Sequence, residues 1–367
     1  MGNLAAKDGG IEFTYPAELT RRPNVSLGSS VRVIDATNFP DEIKNLIMIA
    51  AHKGSLPNCD ALLYTPDNFG NWGRIAAGRS DNGEKEVISR AAEAHARILH
   101  PPEVMGFWSI GPGDQFDAKE KLVIEAHLEK GHSFGFFAYS DVNQASVSKS
   151  MEDGQRVAQE LGLENVQHIP LLGNVFNDKI RQEHKAKLNS DKVQRVMAAS
   201  FGFTFQNLRT SVSGYPEASS SLQDSLEKVR MWLPSKSRLF VTLDHQGDRE
   251  TVSKSFEGDA HEEFFRTGVA HHLTDEVANI TELRRSFVSR TTILNREGIL
   301  TETVALNLGD EGFQILEAGS PIWNGISARL PANSAVKAFD AAKLPSVFPD
   351  PINNKDKTLA CHVAYKR

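Results

Sequence analysis

Residues 104–130 read VMGFWSIGPGDQFDAKEKLVIEAHLEK. A mostly apolar run leads into a Gly-Pro-Gly turn, and an amphipathic segment follows up to Gly131. An apolar run of that length, bounded by turn residues, predicts a buried strand. DAKEKLVIEAHLEK predicts a helix stopped at Gly131, since glycine takes the left-handed conformation that closes helices. The same texture repeats downstream. SFGFFAY (133–139), VQHIPLL (166–172), RVMAASF (195–201) and RLFVTL (238–243) read as strands. Helical patterns cover Asn143 to Leu161 and the region Ser219–Trp232. Strands alternating with helices in this way predict a parallel, doubly wound α/β sheet.

Outward from that block the pattern changes. Residues 1–30 are polar and punctuated by Gly and Pro, which predicts a loosely attached arm. Helical spacing appears around Asp41–His52 and from Asn82 to Leu99, where Val87, Ala91, Ala94 and Ile98 recur. Beyond Asp244, residues 251–290 look helical. Residues 299–367 carry alternating strands such as ILTETVALNL and LACHVAYK, with a Pro-rich loop over 341–355. The expected division is an arm (1–30), a cofactor-binding Rossmann-like domain (101–250), and a substrate lobe built from 31–100 together with 251–367.

The bulk numbers exclude several classes. A chain of 367 residues suffices for one large domain or two interlocked ones. Its net charge of −6 offers no general attraction to nucleic acid or anionic membranes, so neither is expected as a partner. Cys59 and Cys361 are the only cysteines, too few for a disulfide framework or a cysteine-based zinc site. His271-His272 lacks metalloprotease spacing, Cys361-His362 has no further ligand in sequence, and no metal is expected. No Gly-x-Ser-x-Gly hydrolase elbow occurs. No apolar run spans a bilayer, MGNLAAKDGG lacks a signal's apolar core, and Ala6 stands where myristoylation wants Ser or Thr. A reducing cytoplasm is the expected compartment.

In an open α/β sheet, ligands bind beyond the carboxyl ends of the strands. That rule selects Gly111-Pro112-Gly113-Asp114, Ser140-Asp141, Gly173-Asn174, Gly202 through Asn207, and Asp244. The turn is a poor dinucleotide fingerprint, because Phe116 occupies the third glycine's place, and it lacks the Gly-Lys-Ser/Thr of a P-loop. Asp114 beside it would repel a pyrophosphate. A cofactor without phosphates fits better. S-adenosylmethionine is the candidate: Asp141 would accept its ribose hydroxyls, and Asn174, with Asp178 nearby, would read the adenine amine. The blander reading stays open: a tight turn at Gly111 and Gly113, and Asp141 as the next helix's N-cap. The phenylalanines after the fourth strand (Phe201, Phe203, Phe205) and Phe264-Phe265 are either aromatic walls for a methyl donor or substrate, or core. His245 is either catalytic or an ordinary loop histidine.

Taken in order, SIGPGDQFDAKEKLV (109–123), FAYSDVN (137–143), LLGNVFND (171–178), FGFTFQNL (201–208), RLFVTLDHQGD (238–248) and LACHVAYKR (359–367) resemble the histidine-specific methyltransferase family. That family includes the histidine Nα-methyltransferase of ergothioneine synthesis and the fungal 4-dimethylallyltryptophan N-methyltransferase. A weaker match is LPNCDALLYTPDNFGNWGRIA (56–76). The resemblance implies a Rossmann-like methyltransferase sheet with a second lobe of N-terminal helices and C-terminal strands, and S-adenosylmethionine as cofactor. It implies Gly111, Gly113, Asp114, Asp141, Asn174 and Val175 at the cofactor. Asn207 is implied as the residue that positions the substrate for catalysis, with Phe203, Phe264, Phe265 and His362 lining the substrate site.

The departures point away from free histidine. The family's tyrosines are missing near EKEVISRAAEA, where only Arg90 and Glu93 remain, and Lys119 or Lys121 stands in for a displaced lysine. Where relatives grip an imidazole with Glu and Ser, this chain carries His362 and Ala364. Loss of a hydrogen-bonding pair moves specificity sharply. The expected activity is therefore methylation of a small molecule, foremost an amino-acid-derived amine other than histidine. O- or carboxyl-methylation is the runner-up, ahead of a NAD-type oxidoreductase or a non-catalytic cofactor-binding protein.

Overall fold

The computed structural model describes residues 4–7, 10–13, 32–35, 68–79, 83–99, 101–113, 115–173, 175, 184–189, 193–202, 204–206, 218–245, 248, 260–261, 263–264, 267, 287–296, 298–307 and 321–366. Among them, strands β1 (Leu4–Lys7), β2 (Gly10–Phe13) and β3 (Arg32–Asp35) form a small antiparallel sheet. Helices α1 (Phe69–Arg79) and α2 (Lys85–Ile98) precede the main sheet. The doubly wound block runs β4 (Val104–Ile110), α3 (Glu120–Leu128), β5 (Ser133–Asp141), α4 (Gln144–Glu160), β6 (Gln167–Leu172), β7 (Arg195–Ser200), α5 (Ala218–Trp232) and β8 (Arg238–Asp244). Then come β9 (Phe287–Arg296), β10 (Gly298–Asn307), β11 (Pro321–Arg329), α6 (Ala332–Ala341), β12 (Ile352–Asn353) and β13 (Leu359–Tyr365).

Seven strands make the main sheet in the order β12-β13-β8-β7-β4-β5-β6. The five from β8 to β6 are parallel, and β13 enters antiparallel beside β8, with Leu359 opposite Asp244 and Tyr365 opposite Arg238. This is a Rossmann-like, doubly wound sheet. The order reverses between β4 and β7, so a crevice opens beyond their carboxyl ends. Alternation along the strands sorts the core into two layers. Trp108, Ile110, Phe136, Val196, Leu239 and Val241 pack on α5 and α6 through Leu226, Trp232 and Phe339. Met105, Phe107, Phe137, Tyr139, Met197 and Phe240 face α2, α3 and α4. Helix α2 buries Val87, Ile88, Ala91, Ala92, His95 and Ala96, a single stripe at helical spacing.

Two features differ from the sequence expectation. The sheet takes in segments assigned to the second lobe: α2 lies against it, and β12 and β13 complete it. Pairing of β13 with β8 joins residues more than a hundred positions apart, which periodicity cannot register. Helix α6 falls where alternating strands were expected; it begins after Pro331 and buries Ala335, Ala338 and Phe339 at helical spacing. Strands β9, β10 and β11 do form an antiparallel sheet of their own, in the order β11-β10-β9. The helical pattern around Asp41–His52 lies outside the described residues.

Candidate active site at the carboxyl edge of the sheet

The Gly-Pro-Gly turn leaves β4 with Gly111 at φ +65° and Gly113 at φ +60°, both in the left-handed region that favours glycine. Close approach is a second reason for glycine here. A Cβ on Gly111 would lie 2.5 Å from the Thr204 Oγ1, and one on Gly113 would lie 3.1 Å from the Trp72 Nε1. The loop after β7 and helix α1 therefore both press on the turn.

The turn's polar groups are committed within the protein. Gly111 N–H donates to Ser140 O at 2.7 Å, and the Gly113 backbone group helps hold down the pKa of the Asp141 carboxyl. Pro112 has no N–H. Gly113 O accepts from the Ser150 hydroxyl at 2.9 Å and lies 3.3 Å from the Ser146 hydroxyl. A phosphate cradle needs free N–H groups pointing outward; Gly111 N–H is already spent and Pro112 has none to offer.

Asp141 ends β5, half-buried. Its Oδ1 accepts from Asn143 N–H at 2.9 Å and its Oδ2 from Ser146 Oγ at 2.6 Å. Burial raises its pKa, and these donors oppose the shift. Asp141 is not the N-cap of α4. That place belongs to Asn143, whose side chain accepts from Ala145 N–H at 2.8 Å. The acid instead ties the turn to the start of α4.

Beneath the turn lies a buried polar cluster that local sequence rules do not announce. Lys119 Nζ pairs with Glu84 Oε2 at 2.7 Å, both almost wholly buried. Glu84 Oε1 accepts from Thr242 Oγ1 at 2.7 Å, and Thr242 Oγ1 accepts from Gly202 N–H at 3.1 Å. The network thus links the starts of α2 and α3 to the ends of β7 and β8. Ser109 donates to Glu120 Oε1 at 2.6 Å, and burial pushes the Glu120 carboxyl up to about 8 against that hydrogen bond. Lys121, the other stand-in for the displaced lysine, pairs instead with exposed Glu160 at 2.8 Å.

The β8 end carries a second group of side chains. Gln206 clamps Asp244 through both backbone atoms, donating to its O at 2.8 Å and accepting from its N–H at 3.1 Å. Arg329, buried, reaches Asp244 Oδ2 through Nε at 3.3 Å. His245 Nδ1 lies 2.6 Å from Leu330 O, which makes it the donor and leaves Nε2 to accept from His362 Nε2 at 3.1 Å. His362 stacks on Phe339 and is 4% exposed. Burial and the neighbouring His245 pull its pKa down to about 3. His362 therefore stands behind His245 in the α6 layer, not as an open substrate contact.

Of the other sequence candidates, Val175 is packed in the core layer under α5, as are Phe205 there and Phe201 on the opposite layer. Phe264 is buried against Trp72, with ring centroids 5.6 Å apart. Asn68 Nδ2 donates to Phe264 O at 2.6 Å, so the start of α1 is fastened to Phe264 beside the turn. Asp114, Asn174, Asp178, Phe203, Asn207, Phe265 and the His271-His272 pair lie outside the described residues. Sequence reasoning missed Trp72, Ser146 and Gln206. NFGNWGRIA was legible as a weak family match, yet nothing local placed its tryptophan on a turn 41 residues away.

Among the described residues, no group of three or more His, Cys, Asp or Glu is placed to hold a metal, and no helix is long and apolar enough to cross a membrane. No protein-family model and no curated protein matches the sequence. Solved structures resemble the chain only in outline. One is the 1,6-didemethyltoxoflavin N1-methyltransferase of Burkholderia thailandensis, with 10% identity, TM-score 0.37, and 100% of this chain and 98% of that one covered. An O-methyltransferase family protein from Burkholderia thailandensis has 8% identity, TM-score 0.38, and coverage of 89% and 68%. An O-methyltransferase family 2 protein from Planctomyces limnophilus, in complex with apigenin, has 13% identity, TM-score 0.36, and coverage of 99% and 77%. At such scores the likeness carries no argument about activity.

Proposed function

We propose that the chain is an S-adenosylmethionine-dependent methyltransferase acting on a small molecule, foremost the amine of an amino acid or amino-acid derivative other than free histidine. The observation that carries the reading is the state of the glycine turn. Gly111 N–H is bound to Ser140 O, Pro112 has no N–H, and the Gly113 backbone group acts on the Asp141 carboxyl. A turn so occupied does not cradle phosphate, which disfavours a dinucleotide and suits a cofactor with a nucleoside and an amino-acid tail. Asp141, an acid at the end of the second parallel strand, suits a sugar's hydroxyls. The colinear resemblance from residue 56 onward supports an amino-acid-derived acceptor, and it gives Asn207, next after the Gln206 clamp, the positioning role.

When bound, the cofactor supplies an electrophilic methyl: the acceptor's lone pair forms the new bond to that carbon, and the carbon–sulfur bond breaks to leave a neutral thioether. The chain's task is alignment and exclusion of water rather than acid–base work. Helix α1 with residues 260–267 covers one side of the turn through Trp72, and the Gln206 clamp fixes the β8 end.

Calorimetric titration with S-adenosylhomocysteine tests the cofactor; no binding at millimolar ligand sinks the proposal. Incubation with methyl-labelled cofactor and a panel of amino acids, amines, phenols and carboxylates tests the acceptor. A labelled product that resists base is expected, as a methylamine does. A base-labile product would reassign the chain to carboxyl methylation.

A further inference from the structure

We propose that Thr242 is a positioning residue for the crevice: its hydroxyl holds the loop that leaves β7 against the glycine turn, and so fixes the wall against which a ligand lies. The inference rests on reading the crevice as the methyl-donor site and names what sets its shape.

The loop is tied to β8 at Gly202 and again at Gln206. Gly202 N–H donates to Thr242 Oγ1 at 3.1 Å, and the Gln206 side chain holds both backbone groups of Asp244, two residues further along the same strand. Between these ties, Thr204 Oγ1 fills the space where a side chain on Gly111 would stand. The loop is thus a bracket that reaches from β8 past the end of β7 to the turn after β4. The strand order reverses between β4 and β7, so the bracket is a wall of the crevice.

The direction of the Thr242 hydroxyl is imposed from below. As the partner of Lys119, Glu84 is a carboxylate, which only accepts, so the Thr242 proton points to Glu84 Oε1 at 2.7 Å. That leaves the lone pairs of Thr242 Oγ1 for Gly202 N–H. All three side chains are buried. A buried ion pair is a weak source of stability, since well-packed apolar groups of similar volume do as well. Orienting a hydroxyl is what apolar groups cannot do. Gly202 is only half-buried. Deprived of Thr242, its N–H reaches water by lifting the loop from the turn.

Thr242→Val removes the hydroxyl and keeps the shape. In that variant S-adenosylhomocysteine should bind about tenfold more weakly, by calorimetry. Amide exchange read by mass spectrometry should quicken over 201–206 and over 109–115 together. Thr242→Ser keeps the hydroxyl and should restore both affinity and protection. Arg195→Met, which loosens the sheet at its far edge, should lower the urea midpoint and leave the affinity alone. A loss of affinity shared by Arg195→Met, or not restored by Thr242→Ser, marks a general loss of stability and overturns the positioning role. A folded Thr242→Val that binds as tightly as the parent overturns it too. Should Thr242→Val fail to fold, Gln206→Met frees the other end of the bracket and carries the test: the same loss of affinity is expected, and unchanged binding overturns the proposal. If the unaltered protein does not bind S-adenosylhomocysteine, the methyl-donor reading falls and exchange alone decides. Quickening over 109–115 in Thr242→Val but not in Thr242→Ser then sustains the bracket, and quickening confined to 201–206 overturns it.

Discussion

The two edges of the main sheet are built on different terms. At the amino edge, Arg195 grips Glu103 with two bonds of 2.6 and 2.8 Å and reaches Lys236 O at 3.0 Å. Beside it His95 Nδ1 and His127 Nε2 share a hydrogen bond at 2.9 Å, and His127 Nδ1 donates to Val123 O. These groups are spent on closing the structure. At the carboxyl edge, polar groups are just as numerous, but Asp141, Asp244 and His245 stay partly open and two glycines hold left-handed conformations. A sheet with one sealed edge can keep the other adaptable: burial and pairing at one end supply stability that exposed, strained groups at the other do not.

That contrast can be broken at the sealed edge first. Arg195→Met strands the Glu103 carboxylate and should cost about 3 kcal/mol in urea unfolding, since breaking a half-buried pair leaves an uncompensated charge. S-adenosylhomocysteine affinity should hardly move. Loss of binding without loss of stability would mean that the edges are not separable.

Buried groups should also titrate in opposite directions. Burial holds His95 well below its ordinary value and His127 down to about 4. Between pH 6.5 and 4 the unfolded chain therefore binds more protons, and stability falls as the pH drops, by about 1.4 kcal/mol per unit for each such histidine. Glu120, raised to about 8 at the carboxyl edge, works the other way. Between pH 4.5 and 8 the folded chain keeps a proton that the unfolded chain has released, so this group's contribution falls as pH rises. Stability should peak near pH 6.5 and decline toward pH 8. Glu120→Gln should remove the alkaline decline, worth ~2 kcal/mol between pH 6.5 and 8. Midpoints of urea unfolding measured across pH 4.5–8.5 check both limbs, and a flat alkaline limb in the parent would refute the assignment to Glu120.

The smallest effect on stability belongs to the open edge. Gly113→Ala forces a side chain into a left-handed conformation, at about 1 kcal/mol, and sets a methyl against Trp72. Its effect should appear mainly as a roughly tenfold loss of S-adenosylhomocysteine affinity. A variant that binds normally would remove the turn from the site.

Much of the block from Val104 to Asp244 was legible because each element obeys its own period and ends on a turn residue. Gly131, for example, closes the α3 segment at φ +82°. Asp141 and the two turn glycines were legible for a similar reason: the end of a parallel strand is a local position. What surrounds them was not. The bond to Asp141 Oδ2 depends on a serine in the first turn of α4, and the closeness of Trp72 to Gly113 depends on how α1 docks. His362 reads in sequence as a polar residue on a strand that should line a pocket. Its burial follows from the α6 layer, whose helix begins at Ala332 and lays Phe339 across the imidazole.

The antiparallel insertion of β13 beside β8 has a consequence for how the chain can fold and vary. Its ladder joins Asp244 to Leu359, so β8 waits for a partner from a distant part of the polypeptide. Contacts of that sequence separation slow folding, and the outer flank of β8 stays unpaired until they form. The same distance loosens the constraint on length. Closing a flexible loop costs only about 0.6 kcal/mol more for each doubling. The ladder between β8 and β13, then, by itself imposes direction and registry but scarcely a residue count on what joins them. Insertions and deletions there could retune what the crevice accepts while the ladder that closes the sheet is kept.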